Sequence, residues 1–256
     1  MGIRPKIKPM RVLVSTFFAA TLLAAATHAA TAQPAPPKPY KPVVVTPAVP
    51  VTDPAFDAHR KQIGEIAQKK DRAALVQLVV PQGFVWLRDG RDRADKRKSG
   101  IDNLATALSL NNKGGAGWDI LFSYTDDPTA SPSQAIKGAL CAPGEPAYNA
   151  AAFAELLKST QSDASEWGYT LSPSTEVHDK AQANAPVIDK IGTMFVRVAP
   201  ENARGSAAYQ RIITPSGKAG FVSIDAAAPI GNDQLCYVKD GGAWKIGGYI
   251  GGGESQ

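Results

Sequence analysis

Histidine and cysteine are scarce in this chain of 256 residues, three of the one and two of the other, and their scarcity removes much of the usual catalytic chemistry. Beyond position 32 only His59 and His178 remain. Position 63 is Ile, so His59 has no partner imidazole one helical turn on, and the H-E-x-x-H arrangement of zinc peptidases is absent. There is no G-x-S-x-G elbow and no S-x-x-K with a downstream S-D-N or K-T-G. Neither Cys141 nor Cys236 stands in a motif with histidine that would make it a thiol nucleophile. Asp89, Asp92 and Asp95 are spaced by three, whereas a calcium loop needs acids every second residue. The sequence therefore calls for no metal and no cofactor.

Long apolar runs are also missing. The longest candidate, 12–26, has fifteen residues without a charge, short of the roughly 18 to 20 that a spanning helix needs. It follows MGIRPKIKPMR, which carries four basic residues and no acid, and precedes the small-x-small triplet Ala30-Thr31-Ala32. This is the pattern of a secretory signal peptide over 1–32, an uncleaved anchor being the alternative. No cysteine stands directly after the apolar run, the two being Cys141 and Cys236, which excludes lipid attachment at a new N-terminal cysteine. Removing Arg4, Lys6, Lys8 and Arg11 takes the formal charge from +5 to +1, so a nucleic-acid partner loses its support, and no membrane span is expected after cleavage. A periplasmic or secreted location follows, and in that oxidising setting Cys141 and Cys236 are expected to pair as a disulfide rather than remain two buried thiols.

What is present divides the chain. Residues 33–54, QPAPPKPYKPVVVTPAVPVTDP, read as a stiff, extended Pro-rich linker. Asp53-Pro54 is a helix start, and Phe56, Ile63, Ile66 and Ala67 continue it at helical spacing. A second helix is predicted from Asp71, a strand over 83–89, a helix capped by Ser99, another over WDILFSY, and a last one over 146–160. Between them RDGRDRADKRK reads as a charged surface loop whose acids neutralise its arginines and lysines. Past Trp167 the helical spacing stops. TEVHDK, TMFVRVA, AYQRIIT, AGFVSI, QLCYVK and AWKIGGYI are short β-type runs between turn residues, the pattern of a small barrel or sandwich. The predicted class is α+β, with a mostly helical domain over 55–170 and a β domain over 171–256.

Residues 176–230 resemble the bacterial Src-homology-3-like (SH3-like, SH3b) domain, a five-stranded β-barrel of exported bacterial proteins. The likeness is carried by Val177, by APVIDKIG leading into FVRV, and by YQRIITPSGKAGFV, where Tyr209, Ile212, Gly217 and Gly220-Phe221-Val222 take the family's last-hairpin positions. Phe221 stands where the family more often has Trp. The ending in Gly-Tyr-Ile-Gly-Gly-Gly is similar to a group of exported proteins of Gram-negative bacteria. The resemblance implies a small barrel extended by a C-terminal hairpin, and an aromatic floor that takes an extended peptide. It also makes PSGK a hairpin turn, in agreement with the absence of a P-loop: position 212 is Ile, and Lys218 is followed by Ala and a strand.

These readings predict an exported, non-catalytic binding or scaffolding protein of the cell envelope, taking peptidoglycan peptide or a periplasmic protein. Tyr209, Phe221, Trp167 and Tyr169 are the candidate ligand residues, with Trp167 and Tyr169 alternatively wedging two domains together. The alternative is a cell-wall hydrolase using an acidic pair in the helical part. Asp126, Asp127, Glu155 and Glu166 are the carboxylates available for a pair about 5 to 10 Å apart.

Overall fold

The computed structural model describes residues 37–199 and 208–252. The expected signal peptide and the first four residues of the Pro-rich segment lie outside these.

Asp53 sits in extended backbone and its carboxylate accepts from the N–H groups of Ala55 and Phe56, which with Pro54 starts α1 (Pro54–Lys69). Phe56, His59, Arg60, Ile63 and Ala67 fall on its inner face, and Lys70 closes it in the left-handed region. Asp71 caps α2 (Arg72–Val76), Ser99 caps α3 (Gly100–Ala107), α4 spans Ala116–Asp126, and Asn149 caps α5 (Ala150–Thr160). Each helix predicted from spacing and caps is found.

The strands of the first part are β1 (Val45–Thr46), β2 (Val85–Arg88), β3 (Arg91–Asp92), β4 (Ser131–Pro132), β5 (Leu140–Ala142) and β6 (Ala147–Tyr148). Those that follow are β7 (Trp167–Thr170), β8 (Thr175–His178), β9 (Val187–Ile191), β10 (Phe195–Val198), β11 (Tyr209–Ile213), β12 (Ala219–Ser223), β13 (Ala227–Pro229), β14 (Gln234–Asp240) and β15 (Ala243–Ile250). They form a six-stranded sheet in the order β3-β2-β15-β14-β5-β4, a seven-stranded sheet in the order β13-β7-β10-β11-β12-β8-β9, and the β1-β6 pair.

This overturns the predicted fold class. Among the described residues the protein is mostly β, and the five helices are short, with 27% helical content. The first part is not a helical domain: β2 and β3 build one wing, and β4 and β5 the other, of a sheet whose centre is the C-terminal hairpin. That hairpin does not extend a small barrel either, since β15 runs parallel to β2 and β14 pairs antiparallel with β5. The other sheet has seven strands rather than five.

Helices α1 to α4 cover the six-stranded sheet. Phe56, Ile63, Leu75, Leu104, Leu108 and Leu121 pack with Phe84, Leu235, Tyr237, Ile246 and Tyr249, each removed from solvent. Burial of this kind contributes about 1.5–3 kcal/mol per large side chain. In the seven-stranded sheet, Val177, Ile191, Val196, Ile212, Val222 and Ala227 meet in one cluster, although they come from six different elements along its width. The opposite face of β7 and β10 is covered by α5 and by the Pro-rich segment, through Val43, Val45, Phe153, Leu156, Trp167, Tyr169 and Phe195.

The chain leaves the six-stranded sheet after β5 and returns to it in β14, and the whole seven-stranded sheet is built on that excursion. Cys141 on β5 and Cys236 on β14 are direct cross-strand partners, joined by a disulfide across a sequence separation of 95. Both are buried, and Gln234 Nε2 donates to the Pro143 carbonyl oxygen beside them. The disulfide is consistent with an oxidising, extracytoplasmic setting. Among the described residues no helix is long and apolar enough to cross a membrane.

Candidate functional site

The hairpin β11–β12 is regular, with Tyr209 opposite Ser223 and Arg211 opposite Phe221, and its turn closes through Thr214 N–H donating to Lys218 O at 2.9 Å. Gly217 turns the chain at φ +81°, the left-handed conformation that glycine adopts without steric cost. The motif that raises the question of a phosphate loop is a structural hairpin.

Alternation decides what this hairpin presents. Gly220 and Val222 of β12 and Ile212 of β11 point inward, which leaves Tyr209, Arg211, Phe221 and Ser223 on the outer face. Gly220 admits β8 closely, because a Cβ there would lie 2.5 Å from Val177 Cγ1 and 2.8 Å from His178 O. That close approach places His178 directly opposite Phe221, its ring edge-on to Tyr209 with centroids 6.5 Å apart.

His178 Nδ1 lies 2.9 Å from the Ala185 carbonyl oxygen. A carbonyl only accepts, so Nδ1 carries the proton, which leaves Nε2 of the neutral ring as an acceptor. Tyr209, His178, Ser172, Ser174, Thr175 and Ser223 line a shallow pocket of about 260 Å³. Leu171 and Ile224, adjacent in sequence to two of those serines, are exposed at 42% and 53%. Chemically this is an aromatic and imidazole floor with hydroxyls around it, suited to backbone and side-chain groups of an extended peptide. Glu176, also on the lining, is paired with Lys190 at 2.8 Å, and that partner holds its carboxyl below the usual range.

The structure separates the four aromatic residues expected to bind ligand. Tyr209 and Phe221 share the outer face, half-buried. Trp167 and Tyr169 are 1% and 5% exposed and belong to the core under α5, so they offer no surface to a ligand. Tyr40 stands edge-on to Trp167 at 5.0 Å, and Trp167 Nε1 donates to Ser162 Oγ at 2.8 Å. Two other tryptophans are anchored by their indole N–H groups, Trp118 Nε1 donating to Leu110 O and Trp86 Nε1 to Gly251 O.

The carboxylates considered for hydrolysis are dispersed. Glu166 is held by Arg197, with Nε donating at 3.1 Å, and that guanidinium keeps its carboxyl below the usual range. Asp127 caps the following turn by accepting from Thr129 N–H and Oγ1, while Asp126 and Glu155 are exposed. The acids of the charged loop meet their basic neighbours, Asp92 with Lys96, Asp95 with Arg97, and Asp89 with Arg88 and Arg93. Among the described residues no group of three or more His, Cys, Asp or Glu is placed to hold a metal ion.

Sequence reasoning places His178 on a solvated strand edge and passes over the serines. The cluster LSPSTEVH does show hydroxyls leading into that strand, but only the closeness allowed by Gly220, forty residues on, makes them one surface. Comparison of the chain with family models, with curated proteins and with solved structures finds no match. The likeness to the SH3-like family thus rests on the residues quoted for it.

Proposed function

We propose that this is an exported, non-catalytic binding protein of the cell envelope, periplasmic or secreted, whose ligand is a short extended peptide of the cell wall. The observation that carries the reading is the convergence of Tyr209, Phe221 and His178 on one outward face, beside a pocket rimmed by hydroxyls. Aromatic rings give sequence-tolerant contact area at low entropy cost, and the hydroxyls and His178 Nε2 answer the polar groups of a peptide backbone. Export is supported by the signal-like first 32 residues and by the disulfide.

The test is co-sedimentation of residues 33–256 with purified peptidoglycan, with the supernatant assayed for released muropeptides. Sedimentation that drops at least about tenfold in Tyr209→Ala/Phe221→Ala, a loss of about 1.4 kcal/mol or more, supports the reading. Failure to sediment, or sedimentation indifferent to that pair, removes the wall peptide as ligand. Released muropeptides would instead revive the hydrolase.

A further inference from the structure

A second groove, of about 430 Å³, lies between the flank of α1 and the tip of the β14–β15 hairpin. His59 and Gln62 line it from α1, Leu78 from the segment after α2, and Lys239, Trp244 and Lys245 from the hairpin. The lining thus carries two ammonium groups and no carboxylate. Asp53 is nearby but committed: it caps α1 and accepts from Trp244 Nε1 at 3.3 Å. Trp244 is held between Phe56, at 4.9 Å, and the ammonium of Lys239, 4.9 Å from its ring centre, so it forms a wall rather than a free stacking platform.

His59 is the unusual member. It is 8% exposed, and its Nε2 has no hydrogen-bond partner among the described residues. Leaving such a group unpaired in a folded interior costs about 1–3 kcal/mol. What surrounds it is neutral or positive: Tyr237 of β14 edge-on at 6.0 Å and Lys245 of β15, while Arg60, next on α1, reaches instead to the Tyr124 and Thr125 carbonyl oxygens. Burial, and then Lys245, hold the imidazole down to a pKa of about 4, so it stands neutral at ordinary pH. The groove thus combines two ammonium groups with a buried imidazole whose Nε2 is unpaired, and the carboxylate near it, Asp53, acts on Lys239 and Trp244 rather than on His59.

We propose that this groove binds the oxyanion end of a small ligand, a phosphate ester or a carboxylate, with Lys239 and Lys245 supplying the charge and His59 a buried hydrogen-bond donor. The proposal is independent of the wall-peptide reading and concerns a different set of residues. A bound anion stabilises the imidazolium form, so binding strengthens as pH falls and the His59 pKa rises in the complex.

The experiment is a titration of ¹⁵N-labelled protein, residues 33–256, with inorganic phosphate and, separately, with acetate. Imidazole ¹⁵N shifts are followed, and sodium chloride at matched ionic strength serves as control. The result expected is a saturable shift at His59 in the millimolar range with phosphate, acetate or both, absent with chloride. The stronger of the two assigns ester or carboxylate. In Lys239→Gln/Lys245→Gln, whose side chains carry the charge but not the core, affinity should drop at least about tenfold with an unchanged circular dichroism spectrum. The idea is overturned if chloride reproduces the shift, if neither anion moves His59, or if the double variant binds as the native protein does.

Discussion

Single residues here are read best through what their surroundings forbid. His59 is buried with its pKa depressed from 6.5 to about 4, so its protonation favours the unfolded chain. Its contribution is fully present above pH 6.5, declines as pH falls toward 4, and is gone below that, a total of about 3 kcal/mol. Urea denaturation at pH 7 and pH 4 in dilute chloride should show this decline on top of that from the carboxylates, and His59→Phe should remove that part of it. An identical pH dependence in the variant would mean His59 does not titrate in this range. Two glycines make a matched pair. At Gly117 an added Cβ would lie 2.1 Å from the Leu108 carbonyl oxygen, which is backbone and cannot step aside. At Gly64 it would lie 2.8 Å from Thr125 Oγ1, the end of a side chain. Gly117→Ala should cost about 3 kcal/mol. Gly64→Ala, which gains about 1 kcal/mol of helix propensity, should come out near neutral in the same unfolding measurement.

At the scale of elements, the Pro-rich segment shows how far local sequence carries. Its extended, non-helical form is legible from proline alone, but its attachment is not. Among residues 37–46 the non-proline positions do the binding: Tyr40 N–H donates to Pro215 O, Val45 N–H to Thr193 O, and Phe195 N–H to Val43 O. Tyr40 OH donates to Ile213 O at 2.8 Å while its ring packs on Trp167. What reads as a free linker is therefore a strap fixed across the seven-stranded sheet. Tyr40→Phe should lose about 1 kcal/mol, the net value of one hydrogen bond. Tyr40→Ala should release the strap, which hydrogen exchange at the Val45 amide would report as a rise of at least about tenfold, with the α1 amides unchanged. Equal acceleration throughout would mean that the strap opens only with the whole molecule. Helices α1, α2 and α3 are legible because Asp53, Asp71 and Ser99 each announce a start. Strands β3, β4 and β6 are not, since two residues cannot display a period of two. The outer face of β11 and β12 followed from alternation, whereas the place of Trp167 in the core depended on the strap and α5, which no local pattern reveals.

The whole molecule depends on pairings that span most of its length. β15 lies beside β2, more than 150 residues earlier, and nothing in AWKIGGYI names that partner. The class expectation failed at this level: strands were counted where they occur in sequence, while the sheet is completed by a hairpin that returns after the long excursion. Cys141 and Cys236 close that excursion at its base, in the register of β5 against β14. In the chain-entropy description, a link closing a loop of this length, with a separation of 95, contributes about 4–5 kcal/mol. That value assumes an unstructured loop in the denatured state, and the excursion carries its own sheet and hydrophobic cluster. Cys141→Ala/Cys236→Ala, chosen to avoid burying new hydroxyls, discriminates the two cases in a denaturant titration followed by tryptophan fluorescence and by far-ultraviolet circular dichroism. If the molecule unfolds as a single unit, both signals should move together and the loss should approach the full 4–5 kcal/mol. If the seven-stranded sheet outlasts the six-stranded one, the two signals should separate and the loss should be smaller. The two sheets carry separate hydrophobic clusters, one under α1 to α4 and one under the strap and α5, which favours separated signals.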